Sequence, residues 1–510
     1  MASSGEAWLI PGDQLFEPAL RKKAANGVKS VFMAEDHGLC TRSRHHQQKL
    51  VLFLAAMRHH AAELEKAGFE VNYHELPSPP PGTPYFERLA IWCKGRRLKV
   101  LHVFEVSDRF FESELEAFCR AEGVELRRHP TPGFLTPRRE FADYLTTTKR
   151  PFMKTFYERQ RRRLSILMEK DGTPQGGRFS FDDENREALP DDVEIPGIDT
   201  ISHDPVTANV IALVEKRFPD HPGKAAEHWL PSTRAGARRW LQRFIRERLR
   251  NFGPYEDALS SRDPVLFHSV LTPFLNTGLL TPAEVIEEVL EAGSRRRLPI
   301  ASIEGFVRQV IGWREFIFGI DRHYGSRQWE ANHWNHRRGI TRHWYDATTG
   351  LPPLDDAIRK ARDLAYCHHI ERLMVLGTCM LTCEIHPHEA HRWFMEMFID
   401  SAEWVMGPNV FGMGITSDGG IFATKPYLCG SNYWLKMGDY SKGDWCDVAD
   451  GLYWGFIDRH MKEFVKNPRM ATIARSLSRM KPDRREQIFR AAESFKKRVT
   501  TPGRSSGEPC

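Results

Sequence analysis

Residues 1–130 alternate short β-rich runs with helical repeats, and that alternation constrains the fold more than any other feature of the chain. AWLI (7–10), SVFMAE (30–35), VNYHEL (71–76) and KVLHVFEV (99–106) are apolar runs of strand length. Between the second and third, Leu50, Phe53, Leu54, Met57, Ala61 and Leu64 recur at helical spacing over 46–67, and Gly68 stops the pattern. A second helix reads at 111–123. Strands joined by helical crossovers must run parallel, so the sequence predicts an α/β, doubly wound parallel sheet. Ligands of such sheets sit at the carboxyl ends of strands. Here those ends carry Gly12-Asp13-Gln14 and Glu35-Asp36-His37. No GxGxxG or GxxxxGK[ST] is present, which excludes a standard dinucleotide or P-loop site.

Beyond this region the pattern changes. Residues 131–225 are mixed, with polar Gly- and Pro-rich stretches around one basic helix (154–170), and read as an interdomain connector. From 226 to 510 helical spacing dominates, and 11 of the 13 tryptophans lie at or beyond Trp229. Helices read at 234–251, 281–293, 301–319, 354–376, 387–404 and 451–465, giving a large all-α domain. A helical core filled by tryptophan accounts for this as well as a cofactor site does. The chain of 510 residues has room for two to four domains of ordinary size.

Charge and cysteine usage narrow the class. Lys+Arg 73 against Asp+Glu 67 leaves +6, which permits a polyanion partner without demanding one. Nine scattered cysteines, with no CxxC pair, argue against a disulfide framework and predict a cytoplasmic protein. The start MASSGEAWLIPGDQ does not read as a signal peptide, and no run of about 18 apolar residues reads as a membrane span.

Four segments carry candidate chemistry. Phe267 to Gly278 is a hydroxyl-bearing turn (Ser269, Thr272) leading into a short helix, compatible with phosphate binding or with a plain N-cap. Arg308 to Phe316 sets basic residues beside Trp313, suited to a flavin, a phosphate or an internal ion pair. The helix opened at Asp355 or Asp356 runs on into Cys367-His368-His369. Adjacent histidines cannot share one helix face, so this pair is no two-His metal site, but one could move a proton near neutral pH. Asp400 to Tyr433 is a Gly- and Pro-broken loop rich in Tyr, Trp and Met.

HSVLTPFLNTGLL, RQVIGWREF, W…TGLPPLDDAIR and CHHIERLM, in this order after an α/β domain, resemble the photolyase/cryptochrome superfamily. GDQL (12–15), HHQQKLVLFLAAMRHHAAEL (45–64), GGRFSFDDENR (176–186), AYCHHIERLM (365–374) and PNVFGM with DGG and TKPY (408–427) are similar to one branch. That branch is the prokaryotic (6-4) photolyases, or iron–sulfur bacterial cryptochromes and photolyases. The resemblance implies FAD in the helical domain and light-driven electron transfer to a (6-4) pyrimidine–pyrimidone lesion flipped out of UV-damaged DNA.

By the same resemblance, His369 is the proton donor, with His368 beside it, and Met413, Tyr427 and Tyr433 line the lesion pocket. Leu373 stands where animal (6-4) enzymes have a second histidine. Trp393 is the flavin-proximal electron carrier, Phe394 replaces a tyrosine, and Trp344 or Tyr345 is the outer aromatic. FAD candidates are Tyr255, His268, Ser269, Thr272, Arg314, Asp400 and Asn409. Gly12, Asp13, Gln14 and Glu35 match the site of a 6,7-dimethyl-8-ribityllumazine antenna, although Met33 and Ala34 depart from the pattern. The runs at 161–163, 238–239 and 295–297 supply arginines for DNA phosphates.

One departure is chemical. Pro353, Ser441 and Asp444 stand at three of the four cysteine positions of the branch's [4Fe–4S] cluster, and only Cys446 lies near the fourth. Such a cluster needs thiolates, so the sequence predicts no cluster and no other metal, with Trp445, Tyr453 and Trp454 packing in its place. The expectation is a monomeric DNA photolyase of (6-4) type. The alternatives are a cryptochrome-type blue-light photoreceptor and a light-independent flavoprotein. The lesion-pocket residues favour repair.

Overall fold

The computed structural model describes residues 5–78, 80–468 and 470–503; Cys510 lies outside them. Five parallel strands, β1 (Glu6–Leu9), β2 (Ser30–Ala34), β3 (Glu70–His74), β4 (Val100–Phe104) and β5 (Glu125–His129), form one sheet in the order β3-β2-β1-β4-β5. Register is set by Trp8 opposite Val31 and by Ala7 opposite Leu101. Side chains alternate across the sheet with the period of two that strands impose. Trp8, Ile10, Val31 and Met33 join the core of helix Gln47–Lys66, while Ala7, Leu9, Phe32 and Ala34 pack with Leu89 and Leu115 of the helices on the other face. Covered on both faces, β1 and β4 read as continuous apolar runs. The sequence reading lacks β5, ELRRH, because an edge strand carries polar residues that hide its period.

Beyond the sheet the regular elements of the described residues are helices apart from two antiparallel two-residue strands, Gly339–Ile340 and Thr500–Thr501, and irregular chain fills most of 185–204. Three helices end earlier than periodicity predicts. The basic helix spans Met153–Leu164, because the Arg161 guanidinium takes the carbonyls of Ile166, Leu167 and Phe179 and turns the chain back through a left-handed Ser165. Arg161 is therefore fully buried and is no phosphate contact. The helix expected over 354–376 stops at Leu364, where Ala365 is left-handed (φ 52°) and its carbonyl accepts from the Ile399 amide. The helix expected over 387–404 ends at Met397, Phe398 is extended, and a new helix starts at Glu403.

The HHQQK run docks the sheet on the helices. His46 Nε2 meets the Arg362 carbonyl at 2.8 Å, Gln48 donates to the Asp363 carbonyl at 2.7 Å, and Lys49 donates to Ser401 at 2.8 Å. Gln47 donates to the Phe218 carbonyl of the connector and accepts from the Ala225 amide. No helix of the described residues is long and apolar enough to cross a membrane.

Near the C-terminus, helix Trp445–Arg459 packs on helix Pro482–Val499 so closely that a Cβ on Gly451 would overlap the Ile488 carbonyl, whereas a Cβ on Gly455 would meet nothing within 4 Å. Gly451→Ala is expected to lower stability by about 1–3 kcal/mol through overpacking. Gly455→Ala is expected to raise it slightly through helix propensity. Thermal unfolding of the two variants side by side checks both signs.

Candidate functional site

Two walls of the helical region face each other around His369. The first is residues 253–270. Asp263 caps its turn by accepting the Val265 and Leu266 amides at 2.8 and 2.6 Å, and Arg248 donates to the Leu266 carbonyl at 2.6 Å. Leu266 (φ 50°) and Val270 (φ 52°) are both left-handed. That conformation is costly for a β-branched residue and persists only where surroundings over-determine it. It presents His268 to the interior, where its ring stacks on His368 at 4.5 Å with 8° between planes. The second wall is residues 366–377, which carries His368 and His369.

His369 closes the space between the walls. Its ring meets His268 edge-on at 5.3 Å, and Nε2 lies 3.9 Å from Asp257 Oδ1 and 4.0 Å from Glu256 Oε1. Solvent reaches 44% of its side chain although protein surrounds it, as expected at the floor of a concavity. Burial, then the Arg308 and Arg372 guanidinium groups, push its pKa down to about 4. Burial pushes the Glu256 carboxyl up to about 8 and that of Asp257 up to about 6. Burial, then the neighbouring imidazole and after it the nearby cations, hold His268 and His368 well below the ordinary imidazole value, so both are neutral near pH 7. The connector completes the cavity. Asn185 donates to Glu256 at 2.7 Å, Arg308 pairs with Asp182 at 2.8 Å, and Gln309 donates to Glu256 at 2.5 Å.

The described residues contain three π-helical segments, Arg308–Arg314, Glu371–Gly377 and Pro408–Gly414, and each coincides with a motif singled out in the sequence. Such insertions occur often at functional sites. The second and third touch through glycines, since a Cβ on Gly377 would lie 3.0 Å from the Gly414 carbonyl oxygen. Arg372 pairs with Asp400 at 2.9 Å and lies 4.0 Å over the Phe398 ring. Phe398 packs on Trp393 at 5.8 Å, and Trp393 Nε1 donates to the Trp344 carbonyl. Trp344 is fully buried, while Tyr345 is partly exposed and donates to Glu396 at 2.7 Å. Met413 packs beside the Phe316–Phe422 cluster, the Tyr427 carbonyl faces Thr378, and Tyr433 lies near enough to Asp257 to feel its charge.

The structure thus brings the rings of His268, His368 and His369 together, with Tyr433 near Asp257 and Tyr255 against Phe267, while Ser269 and Thr272 sit on the following turn. Asn409 donates to the Val405 carbonyl of its own helix. Arg314 is placed elsewhere. It lies 4.3 Å over Phe134, donates to the Gly133 carbonyl, and borders a cavity of about 20 Å3 with Asp13, Gln14 and Ser107. This crevice is the switch point between β1 and β4, where open α/β sheets hold ligands. Burial raises Asp13 to about 6 there, against the opposing hydrogen bond from Ser107. The space holds about one water, so a ribityllumazine needs its walls to move. Glu35 is taken up by Arg58, Tyr73 and the Leu76 amide, and Gly12 backs onto Met57 and Phe53.

Sequence reasoning missed Glu256, Asp257, Lys360, Glu371 and Arg372. The last two stand inside CHHIERLM and were within reach; the PYED run around Glu256 has no spacing signal. At the cluster positions, Pro353 is buried in the first turn of helix Pro352–Leu364, the Ser441 carbonyl accepts from Trp445, and Asp444 precedes helix Trp445–Arg459. No group of three or more metal-ligating side chains occurs among the described residues.

Residues 8–230 match the deoxyribodipyrimidine photo-lyase-related protein family, and residues 306–429 match the FAD binding domain of DNA photolyase. The chain is 32% identical over 505 residues to a (6-4) photolyase of Agrobacterium fabrum, covering 96% of this chain and 99% of that one. It also resembles a class III photolyase structure from Agrobacterium tumefaciens (TM-score 0.56, 15% identity, 98% of each chain) and a Synechocystis cryptochrome structure (TM-score 0.57, 13% identity, 96% and 98%). This chain belongs to the photolyase/cryptochrome family and contains that family's FAD-binding domain.

The raised Glu256 carboxyl has a measurable consequence. A proton held in the folded state but not in the unfolded one stabilises the fold fully below the ordinary value of 4.5, and that contribution is lost as pH rises to about 8. Glu256→Gln removes this dependence. Its stability relative to wild type is expected to rise across pH 4.5–8 and then level off, checked by denaturant unfolding at stepped pH.

Proposed function

We propose that the protein repairs pyrimidine–pyrimidone (6-4) photoproducts in DNA, driven by light through FAD bound in the helical domain. The observation that carries this reading is the His369 floor: an imidazole open to solvent, within 4.0 Å of two carboxyls, one of which stays protonated at neutral pH. The relative named (6-4) photolyase supports the same reading.

The residues fit a flavin. His268 Nε2 and His368 Nδ1 are buried without hydrogen-bond partners, while His368 Nε2 lies 3.3 Å from Glu371, so the stacked pair leaves polar groups for a bound molecule to satisfy. His268, Ser269, Thr272 and Tyr255 would hold FAD on one side, with the Arg372–Asp400 pair and Asn409 on the other. Reduced FAD, when bound, supplies the electron that light drives into the lesion.

The protein's part is position and protons. The proton held on Glu256 passes to the lesion through His369 Nε2, which is neutral between turnovers, and Asp257 lies beside that path. Tyr427, Tyr433 and Met413 line the space for the flipped base, and His368 fixes the stacked ring beneath it. Arg186, 60% exposed and 3.8 Å from Asp257, is placed to meet a DNA phosphate. Trp393 and Tyr345 would carry electrons to a bound flavin, with Tyr345 outermost because Trp344 has no solvent face. Asp13 and Gln14 at the switch point remain the antenna candidates, with Gly12 and Glu35 bordering them. We read the protein as a monomer with no cluster at Pro353, Ser441 and Asp444.

Under blue light, oligonucleotides carrying a (6-4) lesion are expected to be repaired by wild type and not by His369→Ala, with flavin content unchanged. Repair of cyclobutane dimers alone would move the protein to another class of photolyase. Repair of neither, with flavin photoreduction intact, would favour the photoreceptor. Metal analysis of the yellow protein is expected to find no iron; stoichiometric iron with a thiolate-to-iron absorption band overturns that part.

A further inference from the structure

Lys360 is buried at the back of the cavity, and nothing in the electron or proton steps above uses it. Its ammonium donates to the Ser260 carbonyl at 2.6 Å and to Glu371 Oε1 at 2.5 Å, and pairs with Asp356 Oδ2 at 2.8 Å. Three acceptors match the three protons of an ammonium group. The partners come from three different elements. Ser260 follows Asp257 by three residues on the carboxyl wall, Glu371 follows His369 by two on the histidine wall, and Asp356 belongs to helix Pro352–Leu364.

Each partner is itself anchored. Glu371 Oε2 accepts the His368 amide at 3.3 Å and lies 3.3 Å from His368 Nε2. Tyr440 donates to Asp356 at 3.1 Å. The Ser260 hydroxyl donates to Asp439 at 2.7 Å, and the Leu259 amide donates to the Met437 carbonyl at 2.8 Å. Burial alone would lower the lysine, but the Glu371 and Asp356 carboxylates hold it above its ordinary range, so the ammonium stays charged.

A buried ion pair is a weak source of stability, because apolar residues of the same shape often do as well. What this one supplies is a fixed distance: a single ammonium ties the backbone behind Asp257 to the backbone behind His369. We propose that Lys360 and Glu371 form a positioning pair that sets the separation between His369 and the Glu256–Asp257 carboxyls, and with it the proton delivery to the lesion. The inference rests on the proposed repair activity for its catalytic consequence, though not for its structural one. The charged groups that face His369 are Glu256 and Asp257 from the carboxyl wall, Asp182 from the connector, Arg308 from the first π-helix and Arg372 from its own segment, beside the His268 and His368 rings.

Lys360→Met alone would strand two buried carboxylates, so the test uses the full-length flavoprotein carrying Lys360→Met with Glu371→Gln, which keeps the shape and removes the charge. Glu371→Asp, which keeps the charge and shortens the arm by one methylene, is the second variant. Three quantities are measured beside wild type: (6-4) repair per absorbed photon against pH, lesion affinity with flavin photoreduction, and the His369 imidazole pKa by NMR, assigned with His369→Gln. Both variants are expected to keep affinity and photoreduction within about twofold and to lose repair by up to about 100-fold, the scale of a misplaced catalytic group. The pH optimum is expected to shift, and the His369 pKa to move by about one unit as the carboxyls change distance. Unchanged repair and an unchanged His369 titration in either folded variant overturn the proposal. If wild type repairs no (6-4) lesion while the variants still move the His369 titration, the repair reading fails and the positioning pair stands.

Discussion

The free-energy cost of placing ionisable groups in a poorly solvated cavity is the constraint on which the site depends. Around His369, burial shifts two kinds of group in the directions that keep them neutral: imidazoles down, carboxyls up. Arg308, Arg372 and Lys360 keep their charge, and they meet Asp182, Asp400 and Asp356 at short range. A cavity so arranged holds protons on acids and leaves bases free at the same pH. That is the condition a general acid needs if its proton must be replaced between turnovers. Removing charge from this set therefore changes both geometry and proton inventory.

The backbone bears the same mark. The left-handed Leu266 and Val270 and the three π-helical segments are departures from regular geometry, and they converge on the two walls. Regular helices would carry His368 and His369 along one continuous axis. Ending helix Pro352–Leu364 at a left-handed Ala365 instead frees residues 366–370 to turn their rings toward His268. The site is thus built where local preference loses to tertiary demand.

That conflict explains what the sequence could reveal. The buried strands β1 to β4 were legible because apolar runs between helical repeats have few other readings. The polar edge strand β5 was not. Helix ends at Ser165 and Ala365 escaped notice because the left-handed residue is not glycine, and what turns the chain is a guanidinium or an amide far away in sequence. Arg161 looked like a surface cation because a run of three arginines carries no sign that one will be enclosed by three carbonyls. His369 was legible through its motif. Glu256 and Asp257 were not, because their meaning lies in partners about 50 to 110 residues away that no periodicity connects, and Lys360 was not because its tie to Ser260 spans 100 residues although Asp356 stands at helical spacing.

The positions that resemble cluster ligands show the same logic from the opposite side. Pro353 suits the first turn of a helix because its missing N–H is one no helix uses. Ser441 offers its carbonyl to the Trp445 indole, and Asp444 stands beside the positive end of helix Trp445–Arg459. Trp434 and Trp445 lie 6.1 Å apart, and Trp434 donates to the Met374 carbonyl of the second π-helix. Tyr440 of the same segment reaches Asp356, and through it the Lys360 network behind His369. Ser441 and Asp444 therefore belong to an aromatic and hydrogen-bonded brace that ends on the segment carrying His369. A brace of this kind holds the segment by direct packing and hydrogen bonds that run from Trp445 to the second π-helix and to Asp356.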